Sequence, residues 1–219
     1  MLNEPRIRPF RSGDEPYLSH ISCCTGDSSK DGTGLLLDDE IWGEIWVLPY
    51  VARHPDLAWV VEMPLAPGDK QPDVVGFVVA TPDTESFNEW FAQTWWPVHG
   101  ARFPRPPSGS DDPRVSRTYA TLAMADAVGR KEPNPYDCTA NYPAHLHINI
   151  LPVAQGHGLG RQLISTVLQA LRDRGLKGVH LGTSAKNEGA CAFYKRVGFQ
   201  EAPAKEPGRT FVWDLSAPM

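Results

Sequence analysis

Three glycines, Gly156, Gly158 and Gly160, break the run Leu151-Pro-Val-Ala-Gln-Gly-His-Gly-Leu-Gly-Arg-Gln-Leu163 at alternate positions. The β-branched and apolar stretch Leu146-His-Ile-Asn-Ile-Leu151 leads into them, and a helical pattern follows. A strand that dissolves into glycines and then opens a helix brings bare backbone amides close to a ligand. Such amides, at the positive end of a helix dipole, suit phosphate oxygens. Glycine fits there because side chains would block the approach and some positions require φ > 0. The expected chemistry is a grip on a phosphate-bearing cofactor; a tight turn without a ligand is the plain alternative. Two nucleotide versions fail. No Gly-Lys-Ser/Thr follows the glycines, and the next strand, Val179 to Thr183, ends in Gly-Thr instead of the acidic residue a dinucleotide fold needs.

A second set of candidate groups lies just upstream. His145, His147 and Asn149 alternate with Leu146, Ile148 and Ile150, so the polar residues share one face of that strand. Imidazole has a pKa suited to moving a proton near neutral pH, although a hydrogen-bonded structural histidine is the ordinary alternative. Glu62 and the Asp27–Asp31 loop could hold a cationic group or could simply be solvated. Of Trp42, Trp46, Trp59, Trp90, Trp95 and Trp96, some are expected to wall a pocket and most to fill the core.

Bulk properties narrow the classes. The formal charge of −5 argues against wrapping a nucleic-acid backbone, which needs clustered Lys and Arg. No segment approaches the roughly 20 apolar residues that span a bilayer. The N-terminal residues lack the apolar core of a secretory signal, so an intracellular, cytoplasmic protein without nucleic-acid or membrane partners is expected. Cys23, Cys24, Cys138 and Cys191 contain no C-x-x-C spacing and read as reduced, partly buried thiols, with no metal site.

Elements able to position these groups follow from the pattern. Arg6 to Phe10 reads as a strand, and Glu15 to Cys24 as a helix after the turn signal at Asp14. Thr25 to Gly34 reads as a loop, and Asp38 to Val51 as one helix. Leu57 to Glu62 and Val74 to Ala80 read as an antiparallel hairpin across a turn-rich connector at Pro64 to Asp73. The segment 81–142 is expected to carry helices, one ending near Pro97 and one over Val115 to Arg130, separated by a Pro/Ser/Gly/Asp loop at Phe103 to Pro113. A stretch this long is also expected to cover a site. Ala144 to Leu151, Val179 to Thr183 and Phe211 to Leu215 read as strands. Helices are expected at Gly158 to Arg174, stopped by Gly175, and at Asn187 to Val197, stopped by Gly198. The order implies an α/β (α+β) fold: one domain over 1–219, a mixed twisted sheet with helices on both faces.

The later helix carries Asn187-Glu-Gly-Ala-Cys-Ala-Phe-Tyr-Lys-Arg-Val-Gly-Phe199. Together with Gln155-Gly-His-Gly-Leu-Gly160 it resembles the GCN5-related N-acetyltransferase (GNAT) superfamily. There the glycine loop reads Gln/Arg-x-x-Gly-x-Gly/Ala, met by Gln155, Gly158 and Gly160. The helix reads Ala-x-x-Phe-Tyr-x-x-x-Gly-Phe, met by Ala190, Phe193, Tyr194, Gly198 and Phe199. A narrower likeness rests on Arg6 to Phe10, Cys24 to Thr33, Trp95-Trp-Pro97 and Asn141 to Ile148. These are similar to the acetyltransferase-like domain of O-GlcNAcases and its stand-alone microbial relatives. The animal domains depart from the glycine motif, which this chain keeps.

The resemblance implies two parallel strands that splay apart around acetyl-CoA, here Ala144 to Leu151 and Val179 to Thr183. It implies that Ile150, Leu151 and Val153 hydrogen-bond the pantetheine arm. It also implies that amides of Gln155, Gly156, His157, Gly158, Leu159, Gly160 and Arg161 cradle the pyrophosphate, and that Asn187 and Phe193 line the cofactor. Asn187 read alone is a helix cap. Tyr194 would be the acid for the leaving sulfur, with His145 and His147 as candidate bases on the face toward an amine acceptor, small molecule or peptide. No carboxylate lies on that strand, where family members often have one. An acetyltransferase is therefore expected, with a pseudo-enzyme that binds CoA or peptide as the alternative. Oligomeric state is not specified.

Overall fold

The computed structural model describes residues 5–64, 73–106, 110–130, 134–204 and 206–216. Alternating apolar stretches form seven strands: β1 (Arg6–Pro9), β2 (Ala58–Met63), β3 (Asp73–Thr81), β4 (Ala144–Ile150), β5 (Gly178–Ser184), β6 (Gln200–Ala202) and β7 (Gly208–Asp214). They build one sheet in the order β1-β2-β3-β4-β5-β7-β6. Every neighbouring pair is antiparallel except β4 and β5. That parallel pair is joined at only two positions, Ala144 opposite Val179 and His145 opposite His180. Past them the strands part, so each presents an unpaired edge toward a wedge.

Eight helices flank the sheet: α1 (Glu15–Cys24), α2 (Glu40–Trp46), α3 (Leu48–Arg53), α4 (Thr84–Trp90), α5 (Trp96–His99), α6 (Pro113–Ala127), α7 (Leu159–Asp173) and α8 (Glu188–Val197). Helix α7 buries Leu159, Leu163, Ile164, Val167, Leu168 and Leu171. This is the face its 3.6-residue period marks out. Those side chains meet Val61, Val75, Val78, Leu146 and Val179 in the core on one face of the sheet. On the other face Leu18, Ile21, Val47 and Tyr50 pack against Val60, Phe77 and Val79.

Several elements differ from the sequence reading. The helix expected over Asp38 to Val51 is two helices that break at Val47, where φ is −140°. Pro49 has no N–H to continue α2 but is tolerated in the first turn of α3. The helix expected to stop near Pro97 runs on to His99. A π-helical turn, Phe91–Trp95, precedes Pro97, which sits in the first turn of α5 where its missing N–H costs nothing. The short edge strand β6 was not foreseen, because three residues carry no readable period. Most of the connector at Pro64 to Asp73 and part of the loop at Phe103 to Pro113 lie outside the described residues.

The segment 81–142 carries α4, α5 and α6, which share a third core with α2 through Trp42, Phe91, Trp96, Phe103 and Leu122. None of its described residues lines the wedge between β4 and β5. It braces the α1–α2 loop from behind: the Thr118 hydroxyl accepts the Leu37 amide at 2.9 Å, and Arg117 pairs with Asp27 at 2.6 Å.

Candidate active site: a cleft between diverging strands

The wedge holds a cavity of about 620 Å³. One wall is the β4 end with the glycine loop, another is α8, and Thr25 and Ser29 of the α1–α2 loop close the third side. Gly156 and Gly158 have φ of +82° and +75°, a left-handed conformation side chains resist. A Cβ on Gly160 would come 3.0 Å from the Phe193 ring, so that glycine lets α7 and α8 approach. The amides of Gly156, His157, Gly158, Leu159, Gly160 and Arg161 find no acceptor among the described residues, whereas Ala154 and Gln155 donate to Leu151 and Pro152. Six consecutive free donors at a helix start, with the exposed Arg161 and Arg196 beside them, form a concave anion cradle.

The strand edge supplies fewer groups than the sequence suggests. The Leu151 amide is spent on Val75 at 2.9 Å. By the alternation of an antiparallel ladder, Ile148 and Ile150 turn their backbone groups to the wedge instead. The Ile150 carbonyl is already taken by the Gln155 side chain at 2.9 Å, which leaves its amide open. Val153 lies in a short 3₁₀ turn, Pro152–Ala154, with its side chain exposed. Leu151 and the Gln155 amide are therefore corrected as donors; Gln155 acts through its side chain.

On α8, Asn187 does cap the helix, its Oδ1 accepting the Ala190 amide at 3.1 Å. Its Nδ2 donates to the Ser29 hydroxyl at 2.9 Å, a link across 158 residues that joins the α1–α2 loop to α8. Ser28 and Ser29 adopt φ of 55° and 69°, uncommon for residues with a Cβ. Strain of this kind concentrates where a loop must be held in one shape. Tyr194 is buried yet lines the cleft, and its hydroxyl has no hydrogen-bond partner among the described residues. Burial, with Cys191 nearby, holds its pKa well above the ordinary range, so the phenol keeps its proton.

His145, His147 and Asn149 share the β4 face toward α1 and α3, but the imidazoles do not line the cleft. The Thr84 hydroxyl gives its proton to the Pro143 carbonyl at 2.7 Å, so at 2.8 Å it can only accept from His145 Nδ1. That fixes the tautomer, and His145 Nε2 then accepts the Tyr50 hydroxyl at 2.5 Å. Burial holds His145 neutral, far below its usual pKa, with His147 and His180 opposing charge further. Both lone positions being occupied, His145 is a structural residue and the expectation of a base is corrected. His147 stacks edge-on against Tyr50, its pKa lowered to about 4 mainly by burial.

The acidic candidates are spoken for as well. Glu62 is held by Arg6 and Arg8, and Arg8 also clasps Asp14 at 2.6 Å. Burial alone would raise the Glu62 pKa; the arginine hydrogen bonds outweigh it and lower it. Asp27 pairs with Arg117, and Asp31 accepts the amide and hydroxyl of Thr33. None of the six tryptophans lines the cleft. Trp42 instead lies under the α1–α2 loop, so close that a Cβ on Gly26 would come 2.6 Å from its ring. Thr25 and Ser29 are the site residues sequence reasoning missed; a loop rich in Ser, Gly and Asp gave no sign of which hydroxyls face inward.

Residues 122–199 match the family model described as the acetyltransferase (GNAT) family. The solved structure of SsHAT is 31% identical, with a TM-score of 0.82, and the match covers 97% of this chain and 98% of that one. YncA from Salmonella typhimurium, solved with its cofactor acetyl-CoA, shares the fold at a TM-score of 0.53 and 13% identity, over 97% of this chain and 95% of that one. A mycothiol acetyltransferase of Cellulomonas flavigena is 27% identical over 164 residues, 74% of this chain but 37% of the relative. The chain thus spans well under half the length of that curated relative. With its splayed β4–β5 pair, its glycine cradle and a relative matched over nearly its full length, the chain belongs to the GNAT superfamily, and the cofactor of that superfamily is acetyl-CoA. The residues fit it: free amides and two arginines for a diphosphate, an open strand edge for an amide-bearing arm, and a protonated tyrosine on the cleft wall. No helix among the described residues is long and apolar enough to cross a membrane.

Proposed function

We propose that this protein transfers an acetyl group from acetyl-CoA to a primary amine by direct attack. Bound acetyl-CoA would supply an activated acyl group on a sulfur leaving group. The amides of Gly156 to Arg161 hold the diphosphate, and the Ile148 and Ile150 edge, with the free Val153 amide, holds the arm as an added strand would. Phe193 and Asn187 fix the width of the wedge at α8. Fixing the acyl carbon beside an amine removes a bimolecular entropy cost, which is worth several kcal/mol in well-aligned cases. The reaction joins nitrogen to the acyl carbon and breaks the carbon–sulfur bond. Tyr194, protonated and lining the cleft, gives the proton that sulfur needs; the proton shed by nitrogen leaves to solvent, from which the phenol is reprotonated. His145 and His147 shape the acceptor face and hold α3 and α4 against β4; they carry no proton in this reading.

The observation that carries the proposal is the run of unpartnered amides from Gly156 to Arg161, five of whose six residues line the same cleft as Tyr194. The test is Tyr194→Phe. Turnover should fall by about 100-fold or more, with acetyl-CoA affinity within a factor of about two of the parent. Equal turnover would remove Tyr194 from the chemistry. A second reading, a pseudo-acetyltransferase that binds CoA or a peptide, is favoured by one feature: no carboxylate or imidazole lines the cleft among the described residues. Saturable acetyl-CoA binding without acetylation across a panel of amines and peptides would support that reading over the first.

A further inference from the structure

The hydrogen bonds around Asn149 fix which end of its side chain meets the cleft. Thr25 is buried and donates its hydroxyl proton to the Ile21 carbonyl at 2.6 Å. A hydroxyl has one proton, so toward Asn149, also 2.6 Å away, Thr25 can only accept. Asn149 must therefore turn its NH₂ to Thr25 and its carbonyl oxygen the other way. That oxygen has no partner among the described residues and is not among the sealed polar atoms. Both Asn149 and Thr25 line the cleft that Tyr194 borders. The cleft's acceptor side thus presents a fixed, neutral hydrogen-bond acceptor.

The charges around it are as telling. The ionisable side chains on the cleft wall are Arg161, Arg196 and the protonated Tyr194; no carboxylate or imidazole stands among the described lining residues. Asp27 and Glu62, the nearest acidic candidates from the sequence, are neutralised by Arg117 and by Arg6 and Arg8. An ammonium ion entering this cleft meets no counter-charge and no group that removes its proton. A neutral amine meets a carbonyl suited to one N–H, which leaves the nitrogen lone pair free for attack.

We propose, building on the transfer reading above, that Asn149 receives an N–H of the acceptor through its carbonyl, held in place by Thr25, and that the acceptor is an amine already uncharged near neutral pH. The class is an α-amino group or another weakly basic amine, in preference to a lysine-type side chain. The size of the preference follows from ordinary pKa values. At pH 7.4 about a quarter of an α-amine of pKa about 7.8 is neutral, against roughly one part in a thousand of a lysine amine of pKa about 10.4. Two otherwise equal acceptors should differ roughly 300-fold in kcat/KM on this ground alone.

The experiment is a series of small primary amines and short peptides spanning acceptor pKa, with kcat/KM measured against pH on the full chain. The inference predicts that kcat/KM rises with pH and levels at each acceptor's own pKa, and that α-amines outpace lysine-type amines at pH 7.4. An inflection at one fixed pH for every acceptor would reveal a base in the protein and overturn the inference while leaving acetyl transfer standing. Acetyl-CoA binding with no turnover of any amine would overturn both. Two variants sharpen the assignment. Thr25→Val should raise the acceptor KM roughly 3- to 10-fold with acetyl-CoA affinity unchanged, and Thr25→Ser should restore it. Asn149→Asp would add the missing carboxylate and should shift preference toward the more basic amines; an unchanged acceptor KM in Thr25→Val, or an unchanged ranking in Asn149→Asp, contradicts the role given to Asn149. If Thr25→Val fails to fold, the amine series on the parent protein still decides.

Discussion

The two sides of the cleft are built on opposite plans. On the cofactor side, from β4 through α7 and α8, backbone donors are left open: six amides in a row and the edge of Ile148 and Ile150. Away from it, through α1, α3 and the sheet back to the β1 edge, the strong polar groups that the sequence offers are paired within the fold. Arg8 holds Glu62 and Asp14, His145 is locked between Tyr50 and Thr84, Asp27 faces Arg117, and Asn149 leans on Thr25. Unmet hydrogen bonds in an ordered structure mark where a ligand belongs, because leaving them unpaired is costly unless water or a ligand satisfies them. A saturated wall gives shape and leaves little charge to offer. In the reading proposed above, cofactor recognition rests on backbone, and acceptor selection on geometry and a single carbonyl.

This contrast can be broken from the saturated side first. Arg8→Met leaves Asp14 without its ion-pair partner and Glu62 with Arg6 alone, side chains 9% and 8% exposed, and should cost about 3 kcal/mol of stability. Chemical denaturation measures it. Burial alone would raise the pKa of Asp14 and Glu62; the Arg8 hydrogen bonds bring both below their usual values. Their stabilisation is present above the unfolded carboxylate pKa and is lost as pH falls through the folded values. The parent should weaken in acid, and Arg8→Met should show a flatter acid limb. An unchanged midpoint would mean the cluster is not the brace it looks to be.

The open side is tested by Gly158→Val, which forces a β-branched residue into φ of +75° at the start of α7. Acetyl-CoA affinity should drop roughly 10- to 100-fold by calorimetry, and the strained backbone should also cost about 1–3 kcal/mol of stability. Equal affinity would contradict an amide cradle at this loop.

A smaller effect comes from the imidazoles. His145 and His147 are neutral in the fold, and both have pKa values lowered chiefly by burial, to about 4 for His147. A depressed histidine pKa means the unfolded chain takes up protons first. Stability from these groups is complete above about pH 6.5 and declines as pH falls from there toward 4, by about 1.4 kcal/mol per pH unit for each imidazole that must charge. Urea unfolding at pH 7, 5.5 and 4.5 reads the slope, and His147→Gln should reduce it. An identical slope in the variant would remove His147 from the account.

What the sequence made legible follows the same divide. The cofactor side was readable because its signals are local. Gly156 and Gly158 mark positive φ, Asn187 precedes its helix by one residue and caps it, and Gly175 and Gly198 end helices with φ of +75° and +116°. The acceptor side was not, because its determinants are contacts between residues far apart in the chain. Tyr50 reaches His145 across 95 residues, Asn149 meets Thr25 across 124, and Ser29 meets Asn187 across 158. A histidine between Ala144 and Leu146 gives no hint in the sequence that a threonine 61 residues away will occupy its proton. The same holds for Trp42, whose role under Gly26 depends on how α2 turns back beneath the loop. Periodicity alone also could not show that Pro97 would sit in a helical first turn after a π-helical stretch.

The central claim is that the amides from Gly156 to Arg161 receive the diphosphate of acetyl-CoA in the wedge between β4 and β5. The most direct measurement is a titration of ¹⁵N-labelled protein with acetyl-CoA, followed amide by amide in solution. The account predicts saturable shifts that are largest at Gly156, Gly158, Leu159 and Gly160, with smaller ones at Ile150 and Asn187. Saturation with those amides unmoved, and the changes gathered on another surface, would contradict it.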